Sequence, residues 1–195
     1  MRVSFSDIKK LRQKTGVGIM ECKKALYEAK GNFNKAVKIL RKRGQFVVAK
    51  KADREAKEGL VEAYVHVNGK IGVIVEIGCE TDFVAKNPEF KEMAHDIAMQ
   101  IAASNPKYIS PQDVPTKELE NEREVIYEMF KKEKKPKEVL DKIVEGKIQK
   151  YREEMSLLKQ PLVKNPEKTV EELIAEKTAK FGEKIEIRRF VRYEI

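Results

Sequence analysis

The chain has 195 residues, 37% of them charged, with no Trp and two Cys: room for a small domain beside a medium one, no disulfide framework, and the cytoplasm as the expected location. No run approaches the ~20 apolar residues of a membrane-spanning helix, and the opening MRVSFSDIKK has no apolar stretch for a signal peptide. The net charge of +9 is unevenly held: residues 1–58 carry 17 Lys/Arg against 6 Asp/Glu, a net of +11, whereas the remaining 24 stand against 26, a net of −2.

That imbalance points the N-terminal third toward an acidic surface, nucleic acid or protein, unless it is simply a well-solvated helical module. Three short helices are predicted there. Ser4 with Asp7 starts the first, Phe5, Ile8 and Leu11 recur along it, and Gly16 stops it. Ile19, Cys22, Leu26 and Ala29 line the second up to Gly31. Asn32 caps the third, which buries Phe33, Ala36, Val37 and Leu40 and is expected to end at Gly44, giving a module over 1–44. Residues 45–58, QFVVAKKADREAKE, read as a charged helical linker, and 59–195 as the core domain.

At Leu60 the period changes to two. LVEAYVHV, Asn68-Gly69 and KIGVIVEI predict a hairpin about a two-residue type I′ turn, with Val61, Val65 and Val67 on one face and Ile74 on the other. CETDFVAK follows as a loop. Asn87 and Pro88 then open a helix with the stripe Phe90, Met93, Ala94, Ile97, Ile101 and Ala102. Charged helices are expected over 117–133 and 137–156, KQPLVKNP as irregular chain, and a helix from Thr169 to Gly182. KIEIRRFVRYEI alternates again and would add a third antiparallel strand. The fold class is α+β: a small three-helix module followed by a three-stranded antiparallel sheet packed by helices.

Chemistry is sparse. His66, His95, Cys22 and Cys79 lack the close spacing of zinc ligands, so no metal is expected. Cys79 with either histidine matches no known nucleophile signature. No phosphate-loop or dinucleotide glycine pattern is present, so the chain is not expected to hold nucleotide or another cofactor itself. The carboxylates lie along charged helix faces without a defensible pair, and an enzyme is not expected.

Two stretches stand out instead. In LRQKTGVGIMECKKAL, residues 11–26, a tight glycine turn sets Val17, Ile19 and Met20 beside Arg12, Lys23 and Lys24. That is either an apolar docking knuckle rimmed by cations or an ordinary helix–turn–helix core. In CETDFVA, residues 79–85, Phe83, Val84 and Ala85 sit beside acids in a connector, where a large ring is either its own protein's core or held out for another's.

Both stretches resemble elongation factor Ts, the bacterial and organellar guanine-nucleotide exchange factor of elongation factor Tu. LRQKTGVGIMECKKAL is similar to that family's N-terminal signature and EIGCETDFVAK to its second, whose centre is TDFV. VEGKIQKYREEMSLLKQPLVKNPEKTV is similar to its C-terminal core, so the resemblance runs along the whole chain. Gly78 departs from the Asn or aliphatic usual there and would loosen the backbone before the motif. The chain also has room for one core subdomain where longer members have two.

The resemblance implies a UBA-like N-terminal module that docks through Arg12, Val17, Ile19, Met20, Lys23 and Lys24. It assigns Thr81, Asp82, Phe83 and Val84 to disturbing the Mg²⁺ and phosphate site of GDP-bound elongation factor Tu, and it implies a short form that works as a homodimer. Neither DNA nor membrane is an expected partner. The competing reading is a ribosome- or RNA-associated protein using its basic module on phosphates. Against it, the sequence shows no exposed aromatics interleaved with those cations.

Overall fold

Capped, punctuated helices open the chain, and the structure, a computed structural model, describes residues 3–130 and 136–195. Helix α1 (Phe5–Thr15) starts where the Asp7 amide donates to Ser4 Oγ at 3.1 Å and ends at Gly16, whose φ of 68° turns the chain. Helix α2 spans Ile19–Glu28, and α3, capped by Asn32 on the Lys35 amide at 2.9 Å, spans Phe33–Lys51. Ile8, Leu11, Cys22, Ala25, Leu26, Ala36 and Leu40 form their shared core. Phe5 does not join it: it sits exposed in the first turn of α1.

Gly44 does not end α3. The helix continues about two turns further, because Gly44 is a packing residue: a Cβ there would stand 3.6 Å from the Ala175 carbonyl oxygen on α8 (Val170–Phe181). Arg41 adds a 3.4 Å ion pair to Glu172 on the same helix.

The sheet is antiparallel in the order β1 (Glu58–Val65), β2 (Ile71–Cys79), β5 (Glu186–Glu194). The expected two-residue turn is instead a four-residue loop. Pairing closes at His66, which donates its amide to the Ile71 carbonyl at 2.9 Å, and Gly69 takes φ 68° inside the loop. The register stays that of an Asn-Gly turn. Opposed residues share a face, and Ala63 opposes Ile74, so the sequence-based face assignment needs correcting: Val61, Val65 and Ile74 lie together, not on opposite sides. With Val191 and Tyr193 of β5 they make an exposed apolar sheet face.

The other face buries Val73, Val75 and Ile77 and faces α5 (Pro88–Ser104), whose His95 Nδ1 lies 2.9 Å from Glu62 Oε1 and whose ring meets Tyr64 edge-on. The entire predicted stripe of α5 is buried. Gly78 is not loose: it pairs with Gly59 on one side and Glu186 on the other, and the Arg188 guanidinium fills the space a side chain would need.

By contacts, Met1–Met99 with Glu171–Ile195 make one unit and Gln100–Val170 another. In the second, α6 (Thr116–Phe130) and α7 (Lys137–Met155) pack Leu119 and Ile126 on Leu140, Val144 and Ile148. The expected extension of α6 over 131–133 falls outside the described residues. Glu118 ties the helix bases together by accepting the Tyr108 and Tyr151 hydroxyls, each at 2.6 Å. KQPLVKNP is not irregular: β3 (Pro161–Leu162) and β4 (Asn165–Thr169) form a small hairpin. Buried Gln100 organises it, donating to the Pro161 carbonyl at 3.2 Å and accepting from the Val163 amide at 2.8 Å.

Candidate functional site: a braced aromatic turn and a basic knuckle

The TDFV segment is a one-turn helix rather than a loop. Thr81 is extended at φ −130°, its Oγ1 accepts the Val84 amide at 3.5 Å, and α4 (Asp82–Ala85) follows. Successive side chains on such a turn point about 100° apart, so burying two neighbours forces the one before them outward. Val84 is 4% exposed and Ala85 is buried beside it, while Phe83 is 78% exposed. Of the three apolar residues in this connector, two anchor it and one is presented. Val84 therefore acts on its own protein's core and does not offer a contact surface.

Asp82 is exposed and pairs with Lys86 one turn on at 2.6 Å, which holds its carboxyl below the usual range. Cys79 beneath the turn donates its thiol to the Thr81 carbonyl at 3.2 Å; burial, with Glu183 nearby, pushes it up to about 11. His95 and His66 are engaged with Glu62 and Tyr64. No three His, Cys, Asp or Glu side chains converge as metal ligands would among the described residues.

What fixes the turn is a carboxylate that sequence reasoning passed over. Glu183 accepts the Glu80 amide at 3.1 Å, the Thr81 amide at 3.0 Å and the Thr81 hydroxyl at 2.6 Å. Glu80 in turn accepts the Lys184 amide at 2.6 Å and Arg54 at 3.1 Å, and those donors keep its carboxyl below the ordinary value. Lys184 also donates to the Ala52 carbonyl at 3.0 Å, and Lys51 to that of Gly182. The end of α3, the α8–β5 turn and the aromatic turn are thus laced together. Glu183 lies about a hundred residues from Thr81 in sequence, and no local motif could have announced the contact.

The second candidate surface is at the α1–α2 turn. Ile19 and Met20 are exposed at the start of α2, and Arg12, Lys23 and Lys24 are exposed around them. Lys24 pairs with Glu21 at 2.9 Å, and Lys23 stands 6.0 Å from the Tyr27 ring centroid. Val17 behaves differently, half-buried against the module core above Cys22, whose thiol donates to its carbonyl at 3.4 Å. In this stretch Val17 and Cys22 are core, and Ile19 and Met20 are surface. The arrangement contains no nucleophile–base pair. It offers two exposed apolar projections, Phe83 on the aromatic turn and the Ile19–Met20 pair on α2.

The family model described as Elongation factor TS matches residues 20–195. The Elongation factor Ts of Thermodesulfovibrio yellowstonii is 55% identical over 195 residues, spanning 100% of this chain and 97% of that one. That of Carboxydothermus hydrogenoformans is 55% identical over 193 residues, 99% of this chain and 89% of its own. That of Moorella thermoacetica is 49% identical over 193 residues, 99% and 95% respectively.

Proposed function

Because this chain belongs to the elongation factor Ts family of translation elongation factors, we propose that it is the guanine-nucleotide exchange factor of elongation factor Tu. The observation that carries the reading is Phe83, an aromatic ring held almost wholly in water by a turn whose other members are fastened down. A protein gains little for its own stability from such a ring. It gains when the ring enters a partner.

Exchange in this reading has no covalent step. The factor binds the nucleotide-free partner better than the GDP-bound one, and by linkage nucleotide weakens the factor's binding by the same ratio. Arg12, Ile19, Met20, Lys23 and Lys24 dock the partner's nucleotide-binding domain. Phe83 wedges into a crevice, which requires that crevice to open. Asp82, an acceptor-only group, competes for the donors and water ligands that hold Mg²⁺ and phosphate. Its link to Lys86 is exposed and cheap to exchange. Thr81 and Val84 set the aim of the turn, one through Glu183 and the other through burial.

The same reading takes the protein to be a homodimer. The apolar face of Val61, Val65, Ile74, Val191 and Tyr193 is larger than isolated exposed residues make, and a second copy of the same face would cover it by sheet-on-sheet packing. The direct test mixes the protein with elongation factor Tu loaded with fluorescent GDP and follows release in excess unlabelled nucleotide. Strong acceleration is expected; release at the spontaneous rate would refute the proposal.

A further inference from the structure

Among the described α-helices, α3 differs in its charge. Over its 19 residues the helix has seven cations, Lys35, Lys38, Arg41, Lys42, Arg43, Lys50 and Lys51, and no Asp or Glu. The cations divide by direction. Those flanking the buried side are all engaged: Arg41 with Glu172 at 3.4 Å, Arg43 with Glu21 at 2.8 Å and Glu28 at 2.7 Å, Lys51 with the Gly182 carbonyl. Lys35, Lys38 and Lys42 point outward, exposed, without an ion pair among the described residues. At about 100° per residue they share an arc of about 120° with Phe46 and Lys50.

Phe46 is the second observation. It is 61% exposed, and the Lys50 ammonium lies 4.7 Å from its ring centroid. Because α3 runs on past Gly44, this ring belongs to the basic face rather than to a linker, and the aromatic that the sequence lacked among its cations is present. The face opposes the local interests of the helix: Lys35, Lys38 and Lys42 are like charges at successive helical neighbours, which repel, and an aromatic ring is left in water. A polyanion with flat faces relieves both. From Lys35 to Lys50 the helix covers about 22 Å at ~1.5 Å per residue, the length of about six nucleotides at ~3.4 Å each.

We propose that the outer face of α3 binds single-stranded RNA, with Lys35, Lys38 and Lys42 on successive phosphates and a base stacked on Phe46. RNA is the polymer that surrounds a translation factor, and an aromatic within a phosphate-tracking cationic row is the pattern of strand binders that read no sequence. None of these residues belongs to the knuckle of Ile19 and Met20 or to the aromatic turn, so the proposal adds to the exchange reading and does not depend on it.

The test is fluorescence anisotropy with a labelled oligouridylate of about a dozen nucleotides, titrated at salt from about 50 to 200 mM. The variants are exposed and leave the buried Ala36, Leu40 and Gly44 untouched, so melting should be unchanged. Lys35→Gln, Lys38→Gln and Lys42→Gln together should reduce the log K against log salt slope by about 2, at ~0.7 for each phosphate left without its cation. Lys117→Gln, Lys137→Gln and Lys142→Gln, equally exposed on the other unit, should leave it alone. Phe46→Ala should weaken binding roughly tenfold with the slope unchanged. A slope that survives the α3 triple change, or that falls as much in the control, overturns the proposal, as does indifference to Phe46→Ala. So does a loss of stimulated GDP release in the α3 variants with RNA binding intact, which would assign the face to an acidic protein instead.

Discussion

Replacing Phe83 by Ala separates a ring used by the partner from a ring used by the fold. The ring is 78% exposed, so only about a fifth of an aromatic's ~200 Å² is buried in the free protein. At ~25 cal/mol per Å² that is about 1 kcal/mol, offset by the better helix propensity of Ala. A chain of this size should lose no more than about 2–4 °C in Tm. Seating the exposed remainder, about 150 Å², in a partner pocket is worth about 4 kcal/mol at the same rate. If that energy goes into opening the nucleotide site, stimulated GDP release should fall by two to three orders of magnitude. Affinity for the GDP-bound partner should change little, because docking rests on the knuckle. The measurements are a melting curve beside stopped-flow release of fluorescent GDP. A loss of about 3–5 kcal/mol in stability, the cost of truncating a core Phe, with release retained by the folded fraction would show the reasoning to be wrong. So would a normal melt with normal release.

Three further outcomes follow from the same geometry. Glu183→Gln removes the charge behind three hydrogen bonds to Glu80 and Thr81 while keeping the shape; release should slow about tenfold with docking affinity preserved, and equal losses in both would contradict a positioning role. Cys79, with its thiol pushed up to about 11, is neutral below that pH, so at pH 8 only about one thiol in a thousand ionises; iodoacetamide should leave native protein unmodified and label it on denaturation, and rapid native labelling would refute the burial. Light scattering at micromolar concentration should give twice the 22.5 kDa chain mass, with Val65→Lys and Ile74→Lys shifting it to monomer; a single 22.5 kDa species in the unaltered protein would remove the homodimer.

Much of the fold was legible because the signals are local. Gly16, Asn32 and Pro88 mark helix ends through their own backbone geometry, and the alternation of β1, β2 and β5 needs only the period of a pleated strand. The errors have a common cause in tertiary contacts. Gly44 looks like a stop until Ala175 is placed against it. Ile74 seems to face away from Val61 until pairing sets which parities oppose. KQPLVKNP has no strand pattern of its own and is shaped by Gln100, about sixty residues earlier. In the candidate site, the TDFV stretch stands out in the sequence, but which of its side chains are buried does not. Val84 and Phe83 differ in burial because a one-turn helix points them about 100° apart and Glu183 and Cys79 hold Thr81 at its start.

The uninterrupted α3 and the lacing at its end bear on how two weak contacts could add. Were 45–58 a free tether, each surface would bind independently, and the second event would carry the entropy of bringing the loose ends together. With Lys51, Ala52 and Arg54 fastened to Gly182, Lys184 and Glu80, the knuckle and the aromatic turn would, under the proposed function, act as one chelate. Its effective concentration is set by fit instead of by chain statistics. Such a bidentate frame tolerates little change in the partner's shape: once both points are seated, a partner that closes on nucleotide must break one of them. Release of the factor on nucleotide rebinding would then come from stiffness, and a flexible glycine insertion after Ala52 would trap the complex rather than simply weaken it.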